Sequence, residues 1–259
     1  MNTQKTIDHI VRWLKQYCTG AGLNGYVVGI SGGIDSAVTS TLCARTHLPV
    51  IALIMPIYQH PDQVSLAADH ADWLATAHTN VQKEHTDLSD PFSSLEKTLP
   101  APIQDDLTMA NTRSRLRMLA LYAFAGHNRM LVAGTGNKVE DFGIGFYTKY
   151  GDGGVDISPI ADLTKTEVYG LGEAMGIHEG ILRAAPADGL WADNRTDESQ
   201  IGATYAELEA AMRFEEMGGN TDQLGERERE VLSIYRKLNG ANKHKMLPIP
   251  VCRIPEEFR

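Results

Sequence analysis

Ile7, Ile10, Val11, Leu14 and Cys18 recur every three to four positions, the spacing of one buried helix face. The pattern then changes. Residues 26–30 (Tyr-Val-Val-Gly-Ile) and 49–55 (Pro-Val-Ile-Ala-Leu-Ile-Met) are short unbroken apolar runs, as expected of strands covered on both faces. Between them a glycine turn leads into a helix predicted from Asp35 to about Thr46. Pro61 opens the next helix, 62–78, with Val64, Ala67, Ala68, Ala71 and Leu74 on its repeat. Residues 80–88 read as a weaker strand. A long helix over 105–126, stopped by Gly126, precedes a strand at 130–134. Thr164-x-x-Glu167 and Thr204-x-x-Glu207 are capping boxes that start two later helices, and a last helix spans about 226–238. The prolines of residues 91–102 read as a break, and 82–104 and 188–200 as mobile segments.

Strands alternating with helices predict an α/β fold with a doubly wound, mostly parallel sheet and right-handed crossovers, as a single domain over 1–259. Ligands then bind beyond the carboxyl ends of the strands. Two segments fall there: the turn at 29–36 and the residues after Gly134.

Composition narrows the function. The chain has 259 residues, 42% of them apolar, enough for a sizeable core. Its net charge of −9 argues against nucleic-acid or anionic-membrane partners. No apolar run approaches the ~18 residues of a membrane span, and the first residues lack a signal-peptide pattern. Three widely spaced cysteines (Cys18, Cys43, Cys252) suit free thiols in a reducing cytoplasm, and the nine histidines show no zinc spacing.

The turn reads Gly29-Ile30-Ser31-Gly32-Gly33-Ile34-Asp35-Ser36. Glycines admit close approach and positive φ, and the helix N-terminus that follows favours an anion. Neither a Walker loop nor a dinucleotide fingerprint fits, because no Gly-Lys-Ser/Thr occurs and Val139 stands where a third glycine would be needed. The S-G-G-x-D-S that remains resembles the pyrophosphate loop of the ATP pyrophosphatase superfamily, whose members adenylate an oxygen. Glu140, about one turn into the helix after Gly134-Thr135-Gly136-Asn137, is placed to join Asp35 in a two-carboxylate magnesium site. Read alone, Glu140 is more readily a solvated acid at a helix start, favoured by the dipole.

With Thr148-Lys149-Tyr150-Gly151-Asp152-Gly153-Gly154-Val155-Asp156 and Leu163-Thr164-Lys165 added, most of the chain resembles the NAD synthetase family. The resemblance implies a Rossmann-like fold and the ATP-dependent amidation of deamido-NAD by ammonia through an adenylate, with Mg²⁺ and ATP required. It implies that residues 29–36, Thr135, Lys165 and Ala187 face ATP. Asp35 and Glu140 would hold the metal, and Asp35, Glu140 and Lys165 would carry catalysis. Arg115, Lys149, Asp156, His244 and Lys245 would face the dinucleotide. Ala187 departs from the family's Ser or Thr, removing a neutral hydrogen bond worth ~0.5–1.5 kcal/mol. Asp152 and Asp156 are candidates to deprotonate ammonium. Arg113 and Arg117 read as exposed helix charges or partner contacts.

The family further implies a homodimer, and the chain has no room for a glutaminase domain, so free ammonia is the expected nitrogen source. Two other readings stay open: a tRNA-modifying enzyme of the same superfamily, and a non-catalytic nucleotide-binding module.

Overall fold

The structure is a computed structural model that describes residues 1–184 and 196–259. The call on Ala187 therefore lies outside the described residues, as does most of 188–200.

Helix α1 (Thr3–Gly20) buries Ile7, Ile10, Leu14 and Cys18, the stripe that the periodicity marks. Strand β1 (Tyr26–Gly29) leads through the glycine turn into α2 (Ile34–Ala44). Then follow β2 (Val50–Ile54), α3 (Pro61–Ala77) and β3 (Val81–His85). Here the sequence reading needs correction, because residues 89–98 form a regular helix, α4 (Ser89–Thr98). Pro91 falls in its first turn, where the missing N–H has no intrahelical partner anyway. Pro100 and Pro102 belong to a tight 3₁₀ turn around Ala101–Ile103.

Helix α5 (Asp106–Asn128) runs past Gly126 and is closed by Arg129 in the left-handed region, φ 55°. Strand β4 (Leu131–Val132) precedes a π-helix (Lys138–Ile144). Helices α6 (Lys165–Met175), α7 (Glu179–Arg183), α8 (Asp197–Ile201), α9 (Tyr205–Glu216) and α10 (Glu226–Met246) complete the fold. Both predicted capping boxes are formed. Helix α10 continues two turns beyond the predicted end. Asn239 and Asn242 on that extension donate to the carbonyls of Gly143 and Ile144.

All four strands are parallel, in the order β3-β2-β1-β4. Tyr26, Val28 and Ile30 face one core, built with α1, α2 and α6, while Val27 faces the other with α4 and α5. Double burial explains why these strands read as unbroken apolar runs. A third core joins the π-helix to α8, α9 and α10. The connections from β1 run outward to β2 on one side and return to β4 on the other. That reversal opens a crevice above β1 and β4. Among the described residues no helix is long and apolar enough to cross a membrane, and all three cysteines are free.

Candidate functional site

A cleft of about 620 Å³ occupies that crevice. Its floor is the 29–36 turn. Gly32 has φ 87°, and a Cβ there would stand 2.8 Å from the Gln63 carbonyl oxygen of α3, so both conformation and space require glycine. Ser31 and Ser36 brace the turn through their hydroxyls, 3.1 Å apart, and Ser36 Oγ donates to the Gly33 carbonyl at 2.9 Å. Gly33 caps α2 without any side-chain hydrogen bond, which leaves the first-turn N–H groups to solvent or an anion.

The end of β4 supplies the opposite wall. Asn137 is fully buried and does two things. Its Oδ1 accepts from the N–H groups of Val139 and Glu140, both at 3.1 Å, starting the π-helix. Its Nδ2 donates to Asp35 Oδ1 at 3.1 Å. One side chain thus fixes Glu140 against Asp35. Lys165, at the first position of α6 behind the Thr164 cap, enters between them. Its Nζ stands 2.5 Å from Asp35 Oδ2 and 3.0 Å from Glu140 Oε1, and the residue is only 3% exposed. Burial alone favours the neutral amine, but Asp35 and Glu140 outweigh it and hold Lys165 charged. Burial pushes the Asp35 carboxyl up, against the pull of Lys165.

The Tyr205 hydroxyl lies between Glu140 and Asp197, against Glu140 Oε1 and 3.1 Å from Asp197 Oδ2. The lysine amine stands 4.7 Å over the Tyr205 ring centroid, a cation–π contact. The sequence reading missed Tyr205, since a tyrosine one position after a capping threonine reads as core. It also missed Asp141, which lines the cleft beside Gly136, where a Cβ would meet the Asp141 carboxylate at 2.0 Å. Burial, then Glu140, Asp152 and Asp35, raise the Asp141 carboxyl well above its ordinary range. Asp152, open to the cleft, accepts from Ser114 Oγ at 2.6 Å and from the Thr148 N–H at 3.1 Å.

The cleft also receives Thr135, His244 and Lys245. Lys245 donates to the Tyr147 carbonyl at 2.7 Å, and burial lowers its affinity for its proton. Three other predicted substrate residues do not line the cleft. Arg115 faces outward and donates to the Lys149 carbonyl at 3.2 Å. Lys149 donates to the His244 carbonyl at 3.0 Å. Asp156 accepts from Tyr122 Oη at 3.0 Å and from the Val132 N–H at 2.8 Å. Conversely Arg117, read as an exposed charge or partner contact, lines the cleft and donates to the Met55 carbonyl at 3.0 Å. Arg113 covers the Phe92 ring at 5.3 Å.

A sequence model of the NAD synthase family matches residues 6–248. The chain belongs to that family. It is 36% identical to the NH(3)-dependent NAD(+) synthetase of Alkaliphilus metalliredigens, across 96% of this chain and 99% of that one. Among solved structures, the NMN synthetase of Francisella tularensis superposes with a TM-score of 0.84 at 29% identity, covering 99% of both chains. The NH3-dependent NAD synthetase of Campylobacter jejuni gives 0.79 at 23%, covering 98% of this chain and all of that one, and shows the shared α/β fold. NAD synthases use ATP as a substrate, and the phosphate-type turn at the base of the cleft suits one.

Proposed function

We propose that this NAD synthase amidates deamido-NAD to NAD with ammonia and ATP. The observation that carries the reading is Lys165 between Asp35 and Glu140 at the open end of the phosphate-type turn. The nicotinate carboxylate oxygen attacks the α-phosphorus of ATP, the bond to pyrophosphate breaks, and an acyl adenylate forms. Ammonia then attacks the acyl carbon, the acyl–oxygen bond breaks, and AMP leaves. Activation is needed because a free carboxylate offers only a poor leaving group.

The turn amides and Lys165 offset charge on the departing pyrophosphate, so the protein's contribution is positioning and electrostatics. Two carboxylates converging on one cation form a hard-oxygen set that suits Mg²⁺. Asp35 and Glu140 would hold the ion, which when bound neutralises phosphate charge. Ser31 to Ser36 and Thr135 face ATP in this reading. Lys245 and His244, on the same cleft, face the acid substrate.

Equimolar NAD, AMP and pyrophosphate from deamido-NAD, ATP, Mg²⁺ and ammonium chloride is the expected result. Nucleotide binding without turnover would sink the reading. Ammonia as the nitrogen source is supported by full-length likeness to NH(3)-dependent relatives; efficient glutamine use would overturn it.

A specific observation favours a second acid substrate. The Francisella neighbour is an NMN synthetase, and Arg115, Lys149 and Asp156 stand outside this chain's cleft. Nicotinate mononucleotide carries the same carboxylate on a smaller body. Comparing kcat/KM for the mononucleotide and the dinucleotide decides between them.

A homodimer in the cytoplasm completes the proposal. Leu119 and Tyr122 expose apolar surface on α5 beside Arg115, and such a face suits a second copy. Light scattering at the mass of one chain would overturn that part.

A further inference from the structure

Lys165 stands between the two carboxylates that would hold a divalent cation. Its ammonium touches one oxygen of each carboxylate, at 2.5 and 3.0 Å. The other Asp35 oxygen, Oδ1, accepts from Asn137 Nδ2. On Glu140 the oxygen facing the lysine is the one against Tyr205 Oη. Mg²⁺ binds carboxylate oxygens at about 2.0–2.1 Å and demands near-octahedral geometry. An ion at that distance from the same two oxygens would stand within about 4.5 Å of the lysine nitrogen, where two positive charges repel in a poorly solvated site. The two cations therefore compete for this pair.

We infer that Lys165 is the resident counter-ion of Asp35 and Glu140 when no nucleotide is bound, and that a divalent cation enters the pair only as the lysine leaves it. A polyphosphate on the 29–36 turn is the partner that can draw the ammonium away, because it offers several anionic oxygens close by. Metal and nucleotide then bind together, and the metal does not precede the nucleotide. The lysine exchanges one anionic partner for another and is never left buried without one, which would be strongly unfavourable. The inference rests on the reading of Asp35 and Glu140 as metal-holding residues, and requires nothing about the acid substrate.

The test uses Mn²⁺ as the probe and the nucleotide-free full chain. Free Mn²⁺ is counted by electron paramagnetic resonance, and the unfolding midpoint is followed with added MgCl₂. Wild type is expected to bind Mn²⁺ weakly and to show no shift of its midpoint with Mg²⁺ alone. Lys165→Met is expected to bind Mn²⁺ about tenfold or more tightly and to be stabilised by Mg²⁺. Lys165→Gln, which keeps a donor between the carboxylates, serves if the methionine variant does not fold. Lys245→Met removes a positive charge from the same cleft without touching the pair, so its Mn²⁺ affinity should match wild type. Tight uptake of Mn²⁺ by nucleotide-free wild type overturns the inference. So does unchanged affinity in the Lys165 variants, or an equal gain in Lys245→Met. No readout requires turnover, so a chain that fails to amidate leaves each result standing.

Discussion

The two ends of the cleft hold charge in different ways. At the inner end, Asp35, Glu140 and Lys165 are nearly sealed from solvent, and each is fixed by a second polar group, Asn137 or Tyr205. At the outer end, His244 and Lys245, with Lys149 just outside the cleft behind His244, are reached by solvent and are tied chiefly through main-chain carbonyls. A buried ion is costly to leave alone, so the inner groups constrain one another and tolerate little change. Lysines reached by solvent, such as Lys149, are held weakly and can be exchanged with modest loss.

The largest predicted break is Asp35→Asn. It removes charge from the turn while keeping shape and the capacity to accept from Lys165. A fall in kcat/KM of about 10²–10³ is expected, with the circular-dichroism spectrum retained. A loss under tenfold would mean that the inner end does not carry the chemistry.

Behind the same turn, Ser40 of α2 meets His70 of α3, Oγ to Nε2 at 2.9 Å. Burial lowers His70 from 6.5 to about 4. The unfolded chain then binds the extra proton across that interval and the folded chain does not. The stability contribution is full above about pH 6.5 and is lost as pH falls toward 4, by a few kcal/mol. Urea titrations at pH 7 and pH 5 check this, and His70→Gln should flatten the difference. A slope unchanged in that variant would assign the acid sensitivity to other groups.

Tyr205→Phe is smaller. It deletes the hydroxyl between Glu140 and Asp197 but keeps the ring beneath Lys165. A hydrogen bond to a charged group is worth about 1.5–3 kcal/mol, so the unfolding midpoint should fall while the nucleotide still binds. The smallest effect is expected from Lys149→Ala, which loses one bond to the His244 carbonyl, ~0.5–1.5 kcal/mol at most. Its kcat should hold while KM for the acid substrate moves severalfold. A collapse of kcat would erase the distinction between the two ends.

At the inner end Asp35 was legible from a glycine turn after an apolar run. Lys165 came with the family resemblance, although the capping threonine before it sets its place on α6 locally. Arg115 and Arg117 show where that stops. Ala110, Ser114, Met118 and Leu121 bury one face of α5. Arg117 flanks that face, whereas Arg115, two positions earlier, is turned about 100° from its centre. The helical period distinguishes the environments of the two, whereas the substrate role expected of Arg115 came from the motif resemblance alone. Helix α4 was lost to Pro91 because proline is disfavoured inside a helix but tolerated in its first turn. The end of α10 and the role of Tyr205 depend on tertiary partners, Gly143, Ile144 and Glu140, far away in sequence.

The return of α10 to the cleft bears on how the enzyme matures on the ribosome. Asn239, Asn242 and Lys245 clamp the carbonyls of Gly143, Ile144 and Tyr147. A nascent chain exposed only to residue 238 already carries the whole parallel sheet, the phosphate-type turn and Lys165, but none of these three clamps. The carbonyls of Gly143, Ile144 and Tyr147 are therefore fastened last in translation, after the turn and Lys165 have been made, so a stalled fragment would carry that loop unclamped.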